Sequence, residues 1–361
     1  MKTPPLWVVI MAGGRGLRFW PRSRKDRPKP VLALGTAEPL IVETVKRLRG
    51  LVPASRLFIS TGAAMAPVFK KVLPGVPKSQ FILEPEGRDT AAGIGLAAAV
   101  LGKRLARSGP DAVLAVLPAD HVITKPAVFR RALAQAARIA AQGEIFVTLG
   151  IRPTAASPLF GYLLPQGPYP GVKGAAWLQR FVEKPEPARA KKLIARGGLW
   201  NAGMFLFRPE TLWSALRRHQ PAMARDLGTI AAAVGARAEQ KTIRAVFPRL
   251  KKISFDYAVM EKAGRVAMVR GDFGWTDVGS WDMLYRFAGG DGKKNAARGP
   301  LIAEESRGCY VESRKLVALV GVENLAVVET EDAILVMARG REAKLKSLVA
   351  ELEARGMDRY L

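Results

Sequence analysis

The sequence predicts an α/β fold with a mixed, mostly parallel central sheet, followed by a small C-terminal β module. Over residues 6–150, unbroken apolar strands alternate with helical segments, which is typical of a parallel sheet covered on both faces. After about residue 150 the alternation becomes irregular, which predicts further strands of a mixed sheet. Beyond a polar, Gly-rich stretch at 289–300, short strands separated by turns predict the β module.

The spacing of apolar residues predicts the individual elements in order. In the first half, strands are predicted at 6–12, 56–61, 80–85, 111–120 and 144–150, and helices at 40–51, 67–73, 89–107 and 126–141. In the second half, a helical region is predicted at about 209–240, helices at 255–263 and 279–288, and a strand at 265–272. We therefore predict a first domain at 1–288, a linker at 289–300, and a β module with a terminal helix at 301–361.

Composition narrows the class of protein. The 361 residues are 49% hydrophobic, which is enough for one large core and a smaller one. The net charge of +26 suits phosphorylated or polyanionic partners, but the basic residues are spread along the chain, so nucleic-acid binding is not indicated. No apolar run reaches the ~18 residues of a membrane span. The single cysteine, Cys309, excludes an internal disulfide, and a cytoplasmic protein is the simplest interpretation.

A glycine-rich loop follows the first predicted strand, within MAGGRGLRFWPRSRKDRPKP at 11–30. Gly13, Gly14 and Gly16 let the backbone bend and bring its N–H groups against an anion. The loop lacks the third glycine of a dinucleotide-binding fingerprint and the G-K-[ST] of a Walker loop. Arg18 and Lys29 instead supply long cations that could neutralise a triphosphate. The alternative is a tight glycine turn followed by a solvated basic loop.

Two acidic residues lie in separate turns. LPADHVI (117–123) ends a predicted strand at Asp120, and a carboxylate at that place suggests a divalent cation, because Mg²⁺ prefers one or two carboxylates together with substrate phosphates. The neighbouring His121 is interpreted as structural. GDFGWTDVGSW (271–281) contains Asp277 before a predicted helix, and capping of that helix is the alternative role for Asp277.

The stretch GGRGLRFWPRSRKDRPKP resembles, over its whole length, the N-terminal motif of the sugar-phosphate nucleotidylyltransferases. It departs from that motif at Leu17, where many members carry Thr. GDFGWTDVGSW and EPEGRDTA resemble the mannose-1-phosphate guanylyltransferase branch, and five motifs occur in family order over residues 6–288. The resemblance implies a Rossmann-like nucleotidyltransferase fold, with a C-terminal module like a truncated left-handed β-helix used for homodimer contact.

The resemblance also implies an activity and a set of site residues. The activity is Mg²⁺-dependent transfer of GMP from GTP to mannose 1-phosphate. Asp120 and Asp277 are the expected metal ligands, and Arg18, Lys29 and Lys184 the expected catalytic cations. The expected substrate-binding residues are Gly13 and Gly14 for the nucleotide, Glu84, Arg88, Asp89 and Thr90 beside the base, and Gly161, Glu183, Asn201 and Asp256 around the sugar.

Several alternatives stay open at this point. Asp89 or Thr90 could cap the helix at 89–107. The guanine could be read by Glu84 or by a nearby backbone carbonyl. Glu183 and Lys184 are expected to point in alternate directions on a strand, and an exposed ion pair is the other interpretation. The rival functions are thymidylyl or adenylyl transfer to glucose 1-phosphate, a non-enzymatic nucleic-acid-binding protein, and a catalytically inactive homologue.

Overall fold

The computed structural model describes residues 3–14, 16–289, 291–292 and 294–361. Its strands are β1 (Leu6–Met11), β2 (Leu57–Gly62), β3 (Phe81–Glu84), β4 (Val113–Pro118), β5 (Val122–Ile123), β6 (Phe146–Ile151), β7 (Tyr162–Pro168), β8 (Ala175–Val182), β9 (Leu199–Phe207), β10 (Val266–Arg270), β11 (Trp275–Thr276), β12 (Ala296–Arg298), β13 (Leu301–Glu304), β14 (Tyr310–Glu312), β15 (Val317–Val320), β16 (Leu325–Glu329) and β17 (Ile334–Ala338). Its α-helices are α1 (Leu40–Arg47), α2 (Ala66–Val72), α3 (Asp89–Arg107), α4 (Pro126–Ala140), α5 (Pro187–Ala195), α6 (Pro209–His219), α7 (Pro221–Ala233), α8 (Glu239–Val246), α9 (Trp281–Ala288) and α10 (Leu345–Ala354).

The chain divides into two compact units. The sheet unit contains the chain up to Gly13 together with Val45–Ala119 and Ile123–Trp275, and the β-helix unit contains Gly14–Thr44, Asp120–Val122 and Thr276–Leu361. Each unit has its own hydrophobic core. Among the helices of the described residues, none has the length and apolar character needed to cross a bilayer.

The sheet unit is built on nine strands in the order β3-β2-β1-β4-β9-β6-β10-β8-β7. Strands β1 to β4 pair in parallel, as do β6 and β10, while β8 and β9 run antiparallel to their neighbours. The predicted mixed, mostly parallel sheet is therefore confirmed. Parallel pairing places the ends of β1, β3 and β4 at one edge, where the predicted glycine, EPEGRDTA and LPAD motifs begin.

Helix α3 lies close to the sheet because its sequence is rich in small residues. A Cβ on Gly93 would fall 2.7 Å from Met11 Cε, and one on Gly95 would fall 2.3 Å from Leu227 Cδ1. Both distances are well inside van der Waals contact, so larger residues would force α3 away from β1 and α7. This close packing fixes the start of α3 next to the end of β3.

The β-helix unit stacks short parallel strands. Strands β12, β14 and β16 pair in parallel, β13 pairs in parallel with β15, and β17 closes the larger sheet antiparallel to β16. The N-terminal loop contributes to the core of this unit, because Phe19 packs edge-on against Trp281 at 5.1 Å between ring centroids. The indole nitrogen of Trp281 also donates to the carbonyl of Trp20 at 3.3 Å.

Two expectations about the chain after residue 250 need correction. The helix predicted at 255–263 is one turn of π-helix at Asp256–Met260. Residues 296–298, predicted as linker, form strand β12, because Ala296 and its neighbours pair with β14. Gly290 and Lys293 of the predicted linker lie outside the described residues. The predicted division at 288 and 300 stays a prediction, and by contacts the compact units are interleaved along the chain.

Candidate functional site

In the β-helix unit, Lys29 joins the two predicted metal ligands. Its Nζ donates to Asp120 Oδ2 at 2.8 Å and to the backbone carbonyl of Asp277 at 2.6 Å. Lys29 is 7% exposed and lies over the Phe19 ring, with Nζ 5.8 Å from its centroid. Gly16 makes this position accessible, because any Cβ there would fall 2.3 Å from Lys29 Cβ. Asp120 and Asp277, which are far apart in the sequence, therefore contact the same buried ammonium group.

The pKa values of Asp120 and Asp277 are shifted in opposite directions. Burial disfavours ionised Asp120, but the Lys29 ammonium, with help from His121, holds the pKa of Asp120 below its usual range. Burial raises the pKa of Asp277, and the negative charge of Asp120 raises it further, against the opposing charges of Lys29 and Arg18. Asp277 Oδ1 is buried and has no hydrogen-bond partner among the described residues. A buried, unpartnered carboxylate oxygen near a second carboxylate favours an additional cation.

The two glycines that follow β1 have an exposed backbone. Gly13 and Gly14 are exposed, and a Cβ added to either would meet nothing within 4 Å. Their glycine character is therefore not required by packing among the described residues, and it leaves room for a ligand to approach the backbone. Arg18 lies in a 3₁₀ turn, Leu17–Phe19, and is half-buried.

In the sheet unit, four predicted sugar-site residues come together. A Cβ on Gly161 would fall 2.5 Å from Glu183 Oε2 and 3.4 Å from Asn201 Cβ. The Gly161 carbonyl accepts from Asn201 N at 2.8 Å, and Asn201 Nδ2 donates to Asp256 Oδ1 at 3.4 Å. We call Gly161, Glu183, Asn201 and Asp256 the polar cluster. Burial and the charge of Glu183 raise the pKa of Asp256 to about 7.

The prediction that Glu183 and Lys184 alternate along a strand is wrong. Strand β8 ends at Val182, and Lys184 has a left-handed backbone with φ of 42°. The turn brings Lys184 Nζ to 2.7 Å from Glu183 Oε1. Burial opposes the charge on Lys184, but this hydrogen bond and the Glu183 charge raise the Lys184 pKa. The pair is not simply an exposed one, since the Glu183 side chain is only 8% exposed while that of Lys184 is 58% exposed.

Two contacts to the polar cluster were not found from the sequence: one from the Thr148 hydroxyl and one from the Glu261 carboxylate. Thr148 Oγ1 lies 2.7 Å from Asn201 Oδ1, which also accepts from Gly203 N at 3.2 Å. These contacts fix the amide so that its NH₂ group faces Asp256. Glu261 Oε1 accepts from Glu183 N at 3.0 Å. A lone threonine within an otherwise apolar buried strand was the available signal for Thr148.

The predicted base-site residues lie around the start of α3. Glu84 is buried, accepts from Ser60 Oγ at 3.0 Å, and has a pKa raised by burial. Gly93 makes room for it, because a Cβ there would fall 2.9 Å from Glu84 Oε1. Arg88 forms an ion pair with Glu86 at the surface.

The expected capping of α3 is wrong in detail. Asp89 has a φ of 64°, and its Oδ1 accepts from the adjacent Thr90 N at 2.7 Å instead of from a later turn of the helix. Thr90 Oγ1 accepts from Phe255 N at 2.8 Å, which links the start of α3 to the segment before Asp256. The base-side residues and the polar cluster are thus joined through neighbouring backbone.

No group of three or more His, Cys, Asp or Glu side chains suited to a metal occurs in the described part of the chain. The pair Asp120 and Asp277 therefore lacks a third protein ligand of those types. Such a pair fits Mg²⁺, which commonly completes its shell with water and substrate phosphate, and does not fit a structural zinc site.

Comparison with known families matches both parts of the chain. A family model described as nucleotidyl transferase matches residues 7–293. A second, described as MannoseP isomerase/GMP-like beta-helix domain, matches residues 299–352. The parallel stacking of β12, β14 and β16 agrees with the second match. The predicted nucleotidyltransferase fold and β-helix-like module are thereby confirmed.

Individual relatives match over nearly the whole chain. A mannose-1-phosphate guanylyltransferase from Escherichia coli is 37% identical over 371 residues, covering 98% of this chain and 75% of the relative. The xanthan biosynthesis protein XanB from Xanthomonas campestris pv. campestris is 38% identical, covering 96% of this chain and 73% of the relative. The crystal structure of a protein named mannose-1-phosphate geranyltransferase, from Thermus thermophilus, is 36% identical with a TM-score of 0.86, covering 96% of this chain and 99% of that one.

Proposed function

Because the chain belongs to the nucleotidyl transferase family, in the branch of the mannose-1-phosphate guanylyltransferases, we propose that it transfers GMP from GTP to mannose 1-phosphate. The products are GDP-mannose and diphosphate. One observation carries the proposal beyond the family: Lys29 binds Asp120 and the Asp277 carbonyl, with Asp277 Oδ1 buried and unpartnered among the described residues. This arrangement suits a reaction in which phosphate charge and a divalent cation must be held together.

Asp120 and Asp277 would hold the Mg²⁺ ion. Two carboxylates of which one oxygen is buried and unpartnered fit this ion, since a cation there would satisfy Asp277 Oδ1. When bound, Mg²⁺ neutralises phosphate charge and helps to orient the phosphates. Lys29 keeps Asp120 ionised and ready to accept the cation.

The chain's own cations carry the rest of the proposed chemistry. The sugar phosphate is a competent nucleophile at neutral pH, so no general base is needed, and catalysis consists of alignment and charge neutralisation. Arg18 and Lys29 stabilise the charge that grows on the leaving diphosphate. Lys184 offsets repulsion between the attacking and the attacked phosphates. Gly13 and Gly14 present backbone N–H groups to the nucleotide.

The polar cluster would bind the sugar. Glu183 and Asn201 offer an acceptor and an amide to sugar hydroxyls, and the absence of a side chain at Gly161 leaves space beside them. Asp256 supports the Asn201 amide and is a second candidate sugar contact. At pH values near its pKa of about 7, Asp256 can accept or donate a hydrogen bond.

Glu84, Arg88, Asp89 and Thr90 would surround the base. The buried Glu84 carboxylate is an acceptor of the kind that guanine N1–H and N2–H donors require, and Ser60 holds it in place. Arg88 could donate to guanine O6 after leaving Glu86. A thymine or adenine lacks this combination of donors and acceptor, which favours GTP over the thymidylyl and adenylyl alternatives.

We also propose a homodimer formed through the β-helix. Several large apolar side chains on its strands and turns point outward: Ile302, Leu316, Val320, Ile334 and Val336 are 58–71% exposed. On β17 they alternate with the buried Leu335, so the strand is apolar on both faces. A second copy would cover such a surface. Light scattering after chromatography tests it, because Val320→Asp and Val336→Asp should give monomers if the proposal is right.

The lone buried Cys309 suits the reducing cytoplasm in which we place the protein.

A substrate panel tests the proposed reaction. Diphosphate release is measured with each of four NTPs against mannose 1-phosphate and glucose 1-phosphate, with and without Mg²⁺. The proposal requires GTP with mannose 1-phosphate to give the highest kcat/KM and requires a divalent cation. Higher kcat/KM for dTTP or ATP with glucose 1-phosphate would favour the rival transferases, and no turnover with any pair would favour an inactive homologue.

A further inference from the structure

The β-helix unit contains a large charged cleft with no role in the proposed reaction. It has a volume of about 1280 Å³ and is lined by the loop after Trp20, the ends of β12, β14 and β16, and the C-terminal residues. Eight basic and six acidic side chains line it. Its volume exceeds the roughly 300–1,000 Å³ of common small-molecule sites. We call it the arginine cleft, after Arg22, Arg24, Arg27, Arg298, Arg314 and Arg359 in its lining.

Most of its carboxylates are already neutralised. Glu312 pairs with Arg22, Asp332 with Arg24 at 2.9 Å, Glu329 with Lys315 at 3.1 Å and Asp358 with Lys25 at 3.4 Å. The remaining acids of the lining, Asp26 and Glu331, have no ion-pair partner among the described residues. Once these pairs are set aside, four arginines remain against two carboxylates, so the unpaired charge of the lining is net positive.

Four arginines of the cleft have no carboxylate partner in the described part of the chain: Arg27, Arg298, Arg314 and Arg359. All four are exposed. Arg298 is nevertheless held in place, because its Nη1 donates to the Ala33 carbonyl at 3.0 Å. Its delocalised charge is therefore fixed towards the cleft wall without being neutralised.

Three of the four unpaired arginines lower the pKa of one neighbouring arginine, Arg22. Burial lowers the pKa of Arg22, and the positive charges of Arg27, Arg298 and Arg314 lower it further. Their mutual repulsion therefore concentrates around one half-buried guanidinium. Arg24 adds a buried Nη1 atom with no hydrogen-bond partner among the described residues. Repelling guanidinium groups beside an unsatisfied donor are the electrostatic features of an anion site.

We propose that the arginine cleft binds the phosphate group of a small, non-aromatic metabolite: a sugar phosphate or free diphosphate. Guanidinium groups match phosphate oxygens in geometry and charge. No aromatic ring occurs in the described lining, so a nucleobase has no stacking surface there. Hydroxyl oxygens of Thr36, Ser313 and Thr330 also line the cleft and can accept hydrogen bonds from a sugar.

Calorimetric titration of the full chain tests this proposal, with inorganic diphosphate and glucose 6-phosphate as separate probes. The triple variant Arg27→Gln, Arg298→Gln, Arg314→Gln should weaken binding of the recognised probe at least ~10-fold, since a hydrogen bond to a charged group contributes ~1.5–3 kcal/mol. Arg355→Gln is the control outside the cleft, because it removes one arginine that follows α10 and is ion-paired with Glu351. Arg314→Gln alone repeats the test if the triple variant does not fold.

The outcomes separate the two sources of phosphate. Variant-sensitive binding of glucose 6-phosphate identifies a sugar-phosphate site, and variant-sensitive binding of diphosphate alone identifies a diphosphate site. The proposal is overturned if the wild type binds neither probe, or if the triple variant binds them as tightly as wild type. None of the three arginines belongs to the proposed reaction, and glucose 6-phosphate is neither its substrate nor its product, so that arm is independent of GMP transfer. Diphosphate is a product of the proposed reaction, so for this probe only the difference between wild type and triple variant counts.

Discussion

Gly16→Ala should inactivate the enzyme through Lys29 instead of through misfolding. Gly16 has φ of 71° and ψ of 40°, a conformation that costs an alanine about 1–2 kcal/mol. The new Cβ would also fall 2.3 Å from Lys29 Cβ and 3.3 Å from Lys29 Cα. Normal carbon contacts lie at roughly 3.5–4.0 Å, so Lys29 must move by more than about 1 Å.

That movement removes the Lys29 contacts at 2.8 Å and 2.6 Å to Asp120 and the Asp277 carbonyl. Each hydrogen bond to a charged group contributes ~1.5–3 kcal/mol, so losing productive geometry at Lys29 should lower kcat at least ~100-fold. Gly356→Ala is the matched control in the same unit. Its φ is 66°, but an added Cβ there meets nothing within 4 Å.

The assay measures diphosphate release alongside urea unfolding for both variants. Gly356→Ala should lose about 1–2 kcal/mol of unfolding free energy from backbone strain. Gly16→Ala should lose more, because the displaced Lys29 also loses its hydrogen bonds, and only Gly16→Ala should lose activity. If Gly16→Ala turned over like Gly356→Ala while remaining folded, the role assigned to the Lys29 position would be refuted.

Three further predictions concern the polar cluster. Gly161→Ala should raise KM for the sugar phosphate ~10-fold by displacing Glu183. Gly167→Ala is the control in β7, the strand that follows Gly161: its Cβ meets nothing within 4 Å, so KM should stay unchanged, and equal KM values in the two variants would contradict the sugar site. Thr148→Val should raise the same KM with little change in KM for GTP, because the Asn201 amide loses its fixed orientation; an unchanged KM would exclude that positioning role. The pKa of Asp256 is raised from 3.8 to about 7, so the folded protein retains a proton that the unfolded chain releases. The unfolding free energy of the wild type should therefore fall as pH rises across that interval. Asp256→Asn should flatten this part of the profile, and an identical slope in both proteins would contradict the prediction.

The sequence predicted the elements best where one periodicity extended over many residues. Helix α3 was predicted at 89–107 and is found at Asp89–Arg107, because its small and apolar residues leave no competing pattern. The prediction of an ordinary helix at 255–263 was wrong in type, because the same apolar spacing is compatible with the π-helical turn at Asp256–Met260. Local periodicity does not distinguish one tight turn from a longer helix.

The sequence predicted which residues belong to the candidate site better than it predicted the contacts between them. The grouping of Gly161, Glu183 and Asn201 followed from motif resemblance, and the structure brings these residues together. The contact from Thr148 to Asn201 depends on antiparallel pairing of β6 with β9, which apolar spacing alone does not specify. The turn that folds Lys184 back onto Glu183 depends on a left-handed residue just past a strand end, and no glycine signals it.

The central claim is that Asp120 and Asp277 hold one divalent cation together. Mn²⁺, which takes the same oxygen ligands as Mg²⁺, can be followed by the loss of its free electron paramagnetic resonance signal during titration in the presence of GTP. Asp120→Asn and Asp277→Asn should each weaken Mn²⁺ binding at least ~10-fold. Asp272→Asn, whose side chain is 95% exposed, should bind like wild type. Unchanged Mn²⁺ affinity in both folded site variants would contradict the claim.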